Sequence, residues 1–156
     1  MISVSENVAI DISKFVRESR ENMRAFAIIF IQDLAQRVVE ATPVKTGFLR
    51  ASWHAALNNP SSLPAPGSSD VSSVALTASQ LQIGDIFYYV NNAEYAGYLE
   101  YGTVHIAPRA FVRGVVNEAE AIAQAAARKV RNGSLGGSGG GFSGQRRDPL
   151  TGRFTK

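Results

Sequence analysis

The chain contains no cysteine, and this single absence excludes several classes of site. No disulfide, thiolate metal ligand or cysteine nucleophile can form without that residue. Long hydrophobic runs are also missing, since the apolar stretch Ala25–Ile31 has only seven residues, whereas a helix that spans a bilayer needs about 20. The first residues lack the basic segment and apolar core of a secretory signal. These absences predict a protein of a reducing compartment, with no signal peptide and no membrane contact.

Histidine is almost as scarce, because His54 and His105 are the only two in the chain. Neither lies at the HxH, HxxxH or HExxH spacing of common metal sites. The sequence also lacks the GxSxG turn of serine hydrolases and the phosphate-binding loop of nucleotide-binding proteins. Its glycine-rich run at 136–141 has neither a strand before it nor a helix after it. We therefore expect no metal and no cofactor.

Length and charge divide the chain into two parts. The 156 residues suffice for one domain with a packed core, since 45% of them are hydrophobic. The net charge is only +3, but seven basic residues and one acidic residue lie between Arg128 and Lys156, and the preceding body is slightly acidic. After Asn132 the composition becomes that of a flexible linker. These changes predict a folded domain over residues 1–132 and a basic extension over residues 133–156.

The basic extension allows three roles that its sequence does not separate. Its cationic and aromatic side chains suit the phosphates and stacked bases of DNA. The same side chains can dock onto a protein partner, and a glycine-rich segment can also stay disordered. The residues that would make either contact are Arg146, Arg147, Arg153, Phe154 and Lys156.

The spacing of apolar residues predicts the secondary structure of the domain. The predicted elements are, in chain order, a long helix (11–41), a strand (48–57), a short helix (70–81), a strand (86–92), a helical segment (95–102) and a second long helix (110–130) that ends at Asn132 and Gly133. This order predicts an α+β fold, in which the N-terminal and C-terminal helices pack on a small β-sheet with a short helix between them and a flexible tail after them. Ala25–Ile31 is apolar around its full circumference, so we expect another subunit to cover part of it.

Glu94 and Glu100 are the candidate acid and base of a small hydrolase. The two carboxylates of a glycoside hydrolase must face one cleft. On a helix, six residues place two side chains about 240° apart, so these carboxylates diverge. We therefore expect one solvated glutamate and one that pairs locally.

Two blocks of sequence carry a resemblance to a known family. The first is TPVKTGFLRASW, at 42–53, and the second joins GD at 84–85, NN at 91–92 and YAGYLEYGT at 95–103 to Pro108, Phe111 and Arg113. In order and spacing these blocks resemble the head–tail joining and tail-completion proteins of long-tailed bacteriophages, a group that includes the minor tail protein Z of lambdoid phages. Lys45 departs from the pattern, because aspartate is commoner at that position.

This resemblance implies a structural virion protein and not an enzyme. Such proteins form a homo-oligomeric ring, expected to have six subunits, at the neck between head and tail. The implied partners are a head connector or stopper protein, tail terminator or tail tube proteins, and genomic DNA in the channel. The implied location is the virion, after assembly in the host cytoplasm. Two alternatives stay open: a tail terminator that caps the tail tube, and a small nucleic-acid-binding protein that acts through its basic extension.

The same resemblance points to the residues expected to build an interface or its structural support. These are Thr46, Gly47, Arg50, Trp53, Tyr95, Leu99, Glu100, Tyr101, Gly102, Pro108, Arg109 and Arg113. The predicted docking elements are the loop 58–69 and the extension from residue 133, because loops and termini can reach neighbouring proteins.

Glu100 needs a cationic partner, and we expect Arg50, Arg109 or Arg113, within the subunit or across the ring. Tyr95 and Leu99 should pack inward. The tyrosines at 98 and 101 should then lie nearer the edge, with their hydroxyl groups free for hydrogen bonds.

Overall fold

A computed structural model describes residues 4–66 and 71–137 of the chain. The basic residues proposed for DNA or protein contact, from Arg146 to Lys156, lie outside this part, as do the last residues of the predicted docking loop. The elements are α1 (Val4–Ala41), α2 (Phe48–Ala51), β1 (Trp53–Leu57), α3 (Val71–Ser79), β2 (Phe87–Asn91), α4 (Ala96–Tyr101), α5 (Phe111–Asn117) and α6 (Ala119–Gly137). This arrangement confirms the predicted α+β class.

Helix α1 is the longest element and only part of it packs on the body. Its 38 residues span about 57 Å at 1.5 Å per residue. From Arg24 onward it packs against α3, α5 and α6. The Arg24 guanidinium donates from Nε to the carbonyl of Leu81 at 2.7 Å and from Nη2 to that of Ser79 at 2.6 Å, which joins α1 to the end of α3. Residues 12–23 are almost wholly exposed.

The sheet is a two-stranded antiparallel pair in which Trp53 lies opposite Asn91 and Leu57 opposite Phe87. Trp53 stacks on Tyr89 with ring centroids 4.8 Å apart and meets the edge of Phe111 at 6.5 Å. These aromatic contacts tie the sheet to α5. The buried core around them consists of Val38, Leu49, Trp53, Ala93, Phe111, Val115 and Ile122.

The first predicted strand is wrong over its first five residues. Gly47 has φ 83°, in the left-handed region, and its carbonyl accepts a hydrogen bond from the Ala51 amide at 2.9 Å. The Ser52 hydroxyl donates to the Phe48 carbonyl at 2.6 Å, which closes the same turn. These local bonds make Phe48–Ala51 the short helix α2, so the expected alternation of faces starts only at Trp53.

The predicted C-terminal helix begins within one residue of the predicted start, but it is interrupted. α5 ends at Asn117 and α6 begins at Ala119, and the Glu118 amide at the break donates to Val115 at 3.0 Å. Helix α6 then runs to Gly137, past the predicted end at Asn132 and Gly133. Low helix propensity at those two residues is a weak signal that an established helix can override. The domain boundary at 132/133 stays a prediction.

Ala25–Ile31 was expected to need another subunit for cover. Its residues are half-buried, in the part of α1 that packs on the chain's own helices. Phe26 and Phe30 stack on each other along the helix with centroids 5.9 Å apart. The uncovered apolar face of α1 lies nearer its N-terminus.

Candidate assembly interface

Glu100 is the centre of the second sequence block. This residue is only 6% exposed, and its two carboxylate oxygens accept hydrogen bonds from the amides of Val112 at 2.9 Å and Arg113 at 3.1 Å. The Arg113 guanidinium donates from Nε to the same carboxylate at 3.0 Å and from Nη2 to the Glu100 carbonyl at 2.8 Å. Arg113 is therefore the partner of Glu100 among the three arginines that the sequence suggested.

These bonds make Glu100 the cap of a helix that lies far along the chain. Helix α5 begins at Phe111, and its preceding residue, Ala110, makes no side-chain cap. The first amides of a helix lack partners within it, and a carboxylate at that end is favoured by the helix dipole. Glu100 supplies both the acceptor atoms and the charge.

The pKa of Glu100 reflects two opposing effects. Burial by itself raises the pKa, because it disfavours the charged carboxylate. The hydrogen bonds from the Val112 and Arg113 amides, and the hydrogen bond and charge of the Arg113 guanidinium, act in the opposite direction and prevail. The pKa therefore lies below its ordinary value of 4.5, and the carboxylate is charged at neutral pH.

Gly102 lets the chain turn back toward Glu100. It ends α4 with φ 78°, and a Cβ atom there would lie 2.7 Å from the Ile106 carbonyl oxygen and 2.8 Å from the Pro108 nitrogen. The returning segment, residues 103–110, then donates its Arg109 and Ala110 amides to the carbonyls of Leu99 and Glu100 at 2.8 and 3.2 Å. Gly102 and Glu100 together fix residues 96–113 as one unit, which we call the joint.

The joint exposes four large apolar side chains. Tyr98, Tyr101 and Val104 are 61%, 70% and 98% exposed, and Ile106 is 44% exposed. The Arg113 guanidinium lies over the Tyr101 ring, 5.0 Å from its centroid. Leu99 packs against the core, as expected. Tyr95 was expected inside, but it is 40% exposed and stacks on Phe48 at 6.2 Å.

The first sequence block surrounds the end of α1. The buried Thr42 hydroxyl donates to the Val38 carbonyl at 2.6 Å and accepts from Trp53 Nε1 at 3.0 Å. Arg50 Nη2 donates to the carbonyls of Thr42 and Glu40 at 3.3 and 3.4 Å. Arg50 thus stabilises the carboxyl end of α1, where a cation suits the helix dipole.

The two blocks meet at an open cleft of about 740 Å³. One wall comes from the turn after α1, and the other comes from α4 and the returning segment. Asn91, of the second block, joins the two blocks, because its side-chain amide donates to the Leu49 carbonyl at 2.8 Å. The lining residues are Pro43, Val44, Lys45, Thr46, Leu49, Tyr95, Leu99 and Arg109.

The candidate acid and base do not form a pair. Glu94 is exposed in the turn before α4, whereas Glu100 is buried and engaged by α5. His54 lies buried on β1 opposite Val90, and His105 lies exposed in the loop after Gly102. Within residues 4–66 and 71–137, no three His, Cys, Asp or Glu side chains come together as metal ligands would. No helix in this part of the chain is long and apolar enough to cross a membrane.

Comparison with protein families places these blocks in a known context. The family model described as "Bacteriophage HK97-gp10, putative tail-component" matches residues 11–102. This match covers 92 of the 156 residues and contains both sequence blocks up to Gly102. The chain belongs to this family. It is therefore a structural component of a bacteriophage tail, and its family indicates a location in the virion. No match was found among curated proteins or among solved structures.

The family match ends before some of the residues that build the joint. Pro108, Arg109 and Arg113 lie beyond Gly102. Arg109 and Arg113 nevertheless contact the matched part, through their bonds to Leu99 and Glu100. Sequence reasoning also missed the exposed apolar residues at 12–23 and Val104 as parts of a surface. The exposure of residues 12–23 could have been predicted from the length of α1, which exceeds that of the short elements around it. Nothing in the sequence around Val104 indicates its exposure.

Proposed function

We propose that this tail component forms a closed ring at the neck of a long-tailed phage. The ring would complete the tail and join it to the DNA-filled head, leaving a channel for the genome. Its neighbours would be a head connector or stopper protein on one side and tail terminator or tail tube proteins on the other. Membership of the tail-component family supports the location in the tail. The surface of the joint supports the docking role.

The observation that carries the proposal is the rigid presentation of apolar side chains by the joint. Glu100 and Gly102 are engaged by their own chain on the inner side, and Tyr98, Tyr101 and Val104 project from the outer side. Side chains on a rigid support lose less conformational entropy when a partner binds. Exposed aromatic residues are also typical of the centre of protein interfaces. The joint is therefore suited to binding a protein surface.

A tail terminator is the neighbouring alternative, and it would use the same kind of surface. The two roles differ in what their loss does to the tail. A terminator stops the growth of the tube, so its loss should give tails of irregular length. A neck protein acts after the tube has stopped growing, so its loss should leave tails of normal length that do not attach to heads.

The experiment is to remove the protein from the phage and examine the particles by electron microscopy. The proposal predicts filled heads beside separate tails of normal length, and rescue by the full chain supplied in trans. Labelling the subunit in complete particles should place it between head and tail. Infectious particles that form without it, or a label elsewhere in the virion, would contradict the neck position.

The role of the basic extension is tested separately. Because α6 runs to Gly137, the test removes only the part of the extension after it, residues 138–156. If the extension contacts DNA, this removal should abolish binding that weakens with salt. If it docks onto protein, the shortened chain should keep any DNA binding and lose its place in the particle.

A further inference from the structure

Part of α1, residues 12–23, carries an apolar stripe that nothing in the described chain covers. We call this part the arm. Ile12, Phe15, Val16 and Met23 are 58%, 70%, 41% and 60% exposed. Their spacing places all four within about 100° around the helix axis, which is the width of a face that packs against a partner. The opposite face carries charged side chains, including Lys14 and Glu18, whose Nζ and Oε1 atoms lie 3.9 Å apart.

The arm presents an apolar patch of the size found at functional surfaces. Its exposed large side chains present on the order of 400 Å² of apolar surface, and the largest patch of a typical monomer, about 300–600 Å², is often functional. Its twelve residues supply about half of the 20–30 that one side of a standard interface uses. The arm is therefore suited to form one part of a contact between subunits.

The body of the protein has an apolar cleft that matches this stripe. The cleft has a volume of about 190 Å³ and lies between the carboxyl-terminal half of α1, the sheet and α5. Burial raises the pKa of Tyr89 on its wall to about 12, so this wall is poorly solvated. Its largest lining side chains are Ile31, Leu34, Trp53, Phe87 and Tyr89, and α5 adds Val112 and Val116.

The cleft volume corresponds to one aromatic side chain. An apolar cavity of about 150 Å³ holds a benzene molecule, and a phenylalanine side chain is a benzene ring with one added methylene. Phe15 is the most exposed of the large arm residues. Phe15 therefore has the right chemistry and size to fill the cleft.

The arm cannot reach the cleft of its own subunit. Phe15 precedes Leu34 by 19 residues on one continuous helix, so the two lie about 28 Å apart along its axis. We infer that the arm of each subunit packs into the cleft of the next subunit, with Phe15 as the inserted side chain. This contact is heterologous, since the arm and the cleft are different surfaces. Repetition of such a contact gives a closed ring when the rotation between subunits closes.

Engineered cysteines test the contact directly, because the native chain has none. Purified full-length Phe15→Cys and Val116→Cys chains, mixed under oxidising conditions, should form a disulfide-linked heterodimer. Both residues are exposed, so neither substitution should impair folding. Val104→Cys is the matched control for Val116→Cys: it is even more exposed, at 98%, but it lies on the joint. A chain that carries both Phe15→Cys and Val116→Cys should give a ladder that ends at the size of the ring.

The single tryptophan gives a second measurement without cysteines. Trp53 lines the cleft, so its fluorescence should change when subunits dissociate on dilution. Phe15→Asp should remove this change and leave a monomer of unaltered secondary structure. Lys14→Asp, which changes charge on the opposite face, should keep the oligomer.

Three outcomes would overturn the inference. The first is a disulfide between two Phe15→Cys chains in place of the mixed pair, which would mean that arms pack on arms. The second is a Val104→Cys chain that cross-links to Phe15→Cys as efficiently as Val116→Cys does. The third is an oligomer that survives Phe15→Asp. The inference rests on the proposed ring, but the two fail differently. A chain that is found at the neck without the mixed disulfide refutes only the arm contact. A cross-linked ring whose subunits are absent from the neck refutes only the neck position.

Discussion

Trp53 and Thr42 are joined by a buried hydrogen bond, in which the indole Nε1 donates to the threonine hydroxyl at 3.0 Å. The hydroxyl in turn donates a hydrogen bond to the Val38 carbonyl at 2.6 Å in the last turn of α1. The pair therefore links the end of the long helix to the first residue of β1. Both residues belong to the TPVKTGFLRASW block, so its structural role is to lock helix and sheet together.

Thr42→Val should reduce the free energy of unfolding by about 1–3 kcal/mol, because it keeps the shape of the side chain and leaves the buried indole N–H without an acceptor. Urea unfolding at one protein concentration, followed by the fluorescence of Trp53, measures this loss. Thr46→Val is the matched control, since the Thr46 hydroxyl is exposed and only accepts a 3.4 Å bond from the Phe48 amide. Equal losses for the two variants would contradict the role of the pair.

Glu100→Gln should reduce the free energy of unfolding at neutral pH by about 1.5–3 kcal/mol, the range for hydrogen bonds that involve a charged group. The pH dependence gives the sharper test. Because the folded-state pKa of Glu100 is lowered, its stabilisation is complete above the ordinary value of 4.5 and is lost as pH falls from 4.5 through the folded-state pKa. Urea unfolding of the wild type between pH 6 and pH 3 should show this decline.

The variant should decline less over the same pH range, because it has no carboxylate at residue 100 to protonate. Some decline should remain, since the Gln82 amide and the Asn58 side chain also lower the pKa of Asp85. The free energy of unfolding of the double variant, Glu100→Gln with Asp85→Asn, should therefore depend even less on pH over this range. A single variant that is as acid-sensitive as the wild type would show that Glu100 does not hold the joint together.

Gly102→Ala should destabilise the protein by about 1–3 kcal/mol, since its φ of 78° with ψ of 174° is a conformation almost confined to glycine and costs about that much for a residue with a Cβ. The new Cβ would also meet the Ile106 carbonyl oxygen at 2.7 Å. Gly97→Ala is the control within the same helix, because nothing in the described chain lies within 4 Å of a Cβ there. That control should be neutral or should stabilise α4 by up to about 1 kcal/mol. Thermal unfolding of both variants decides the matter, and a Gly102→Ala protein as stable as Gly97→Ala would contradict the argument.

These residues also show what could be predicted from sequence. The stop at Gly102, the strand β2 and the two long helical segments follow from local spacing and turn chemistry. The structure confirms them, apart from the break at Glu118 that divides the second segment into α5 and α6. Helix α2 was missed because the left-handed Gly47 and the Ser52 hydroxyl favour a turn over the strand that the alternation indicated. The sequence did suggest a pair between Glu100 and an arginine.

Two other features could not be predicted because they depend on where distant parts of the chain meet. The capping of α5 by Glu100 requires the chain to return from Gly102 to Ala110. The exposure of Phe15 depends on how far α1 extends beyond the elements that pack on it. Periodicity identifies an apolar face on a helix, but it does not say which part of that face the chain itself will cover.

Val104→Glu should impair attachment of tails to heads while leaving the isolated protein as stable as the wild type. Val104 is 98% exposed, so a charge there is solvated in the free subunit and contacts nothing. In the proposed interface the same charge would be buried without a partner, which costs far more than it does in water. Infectivity of phage complemented with the variant measures the effect, and we expect a loss of at least tenfold.

Ile83→Glu introduces the same charge at another exposed apolar residue, away from the joint, and should retain infectivity. Full infectivity of Val104→Glu, with the variant protein present in the particles, would exclude the outer face of the joint as the docking surface.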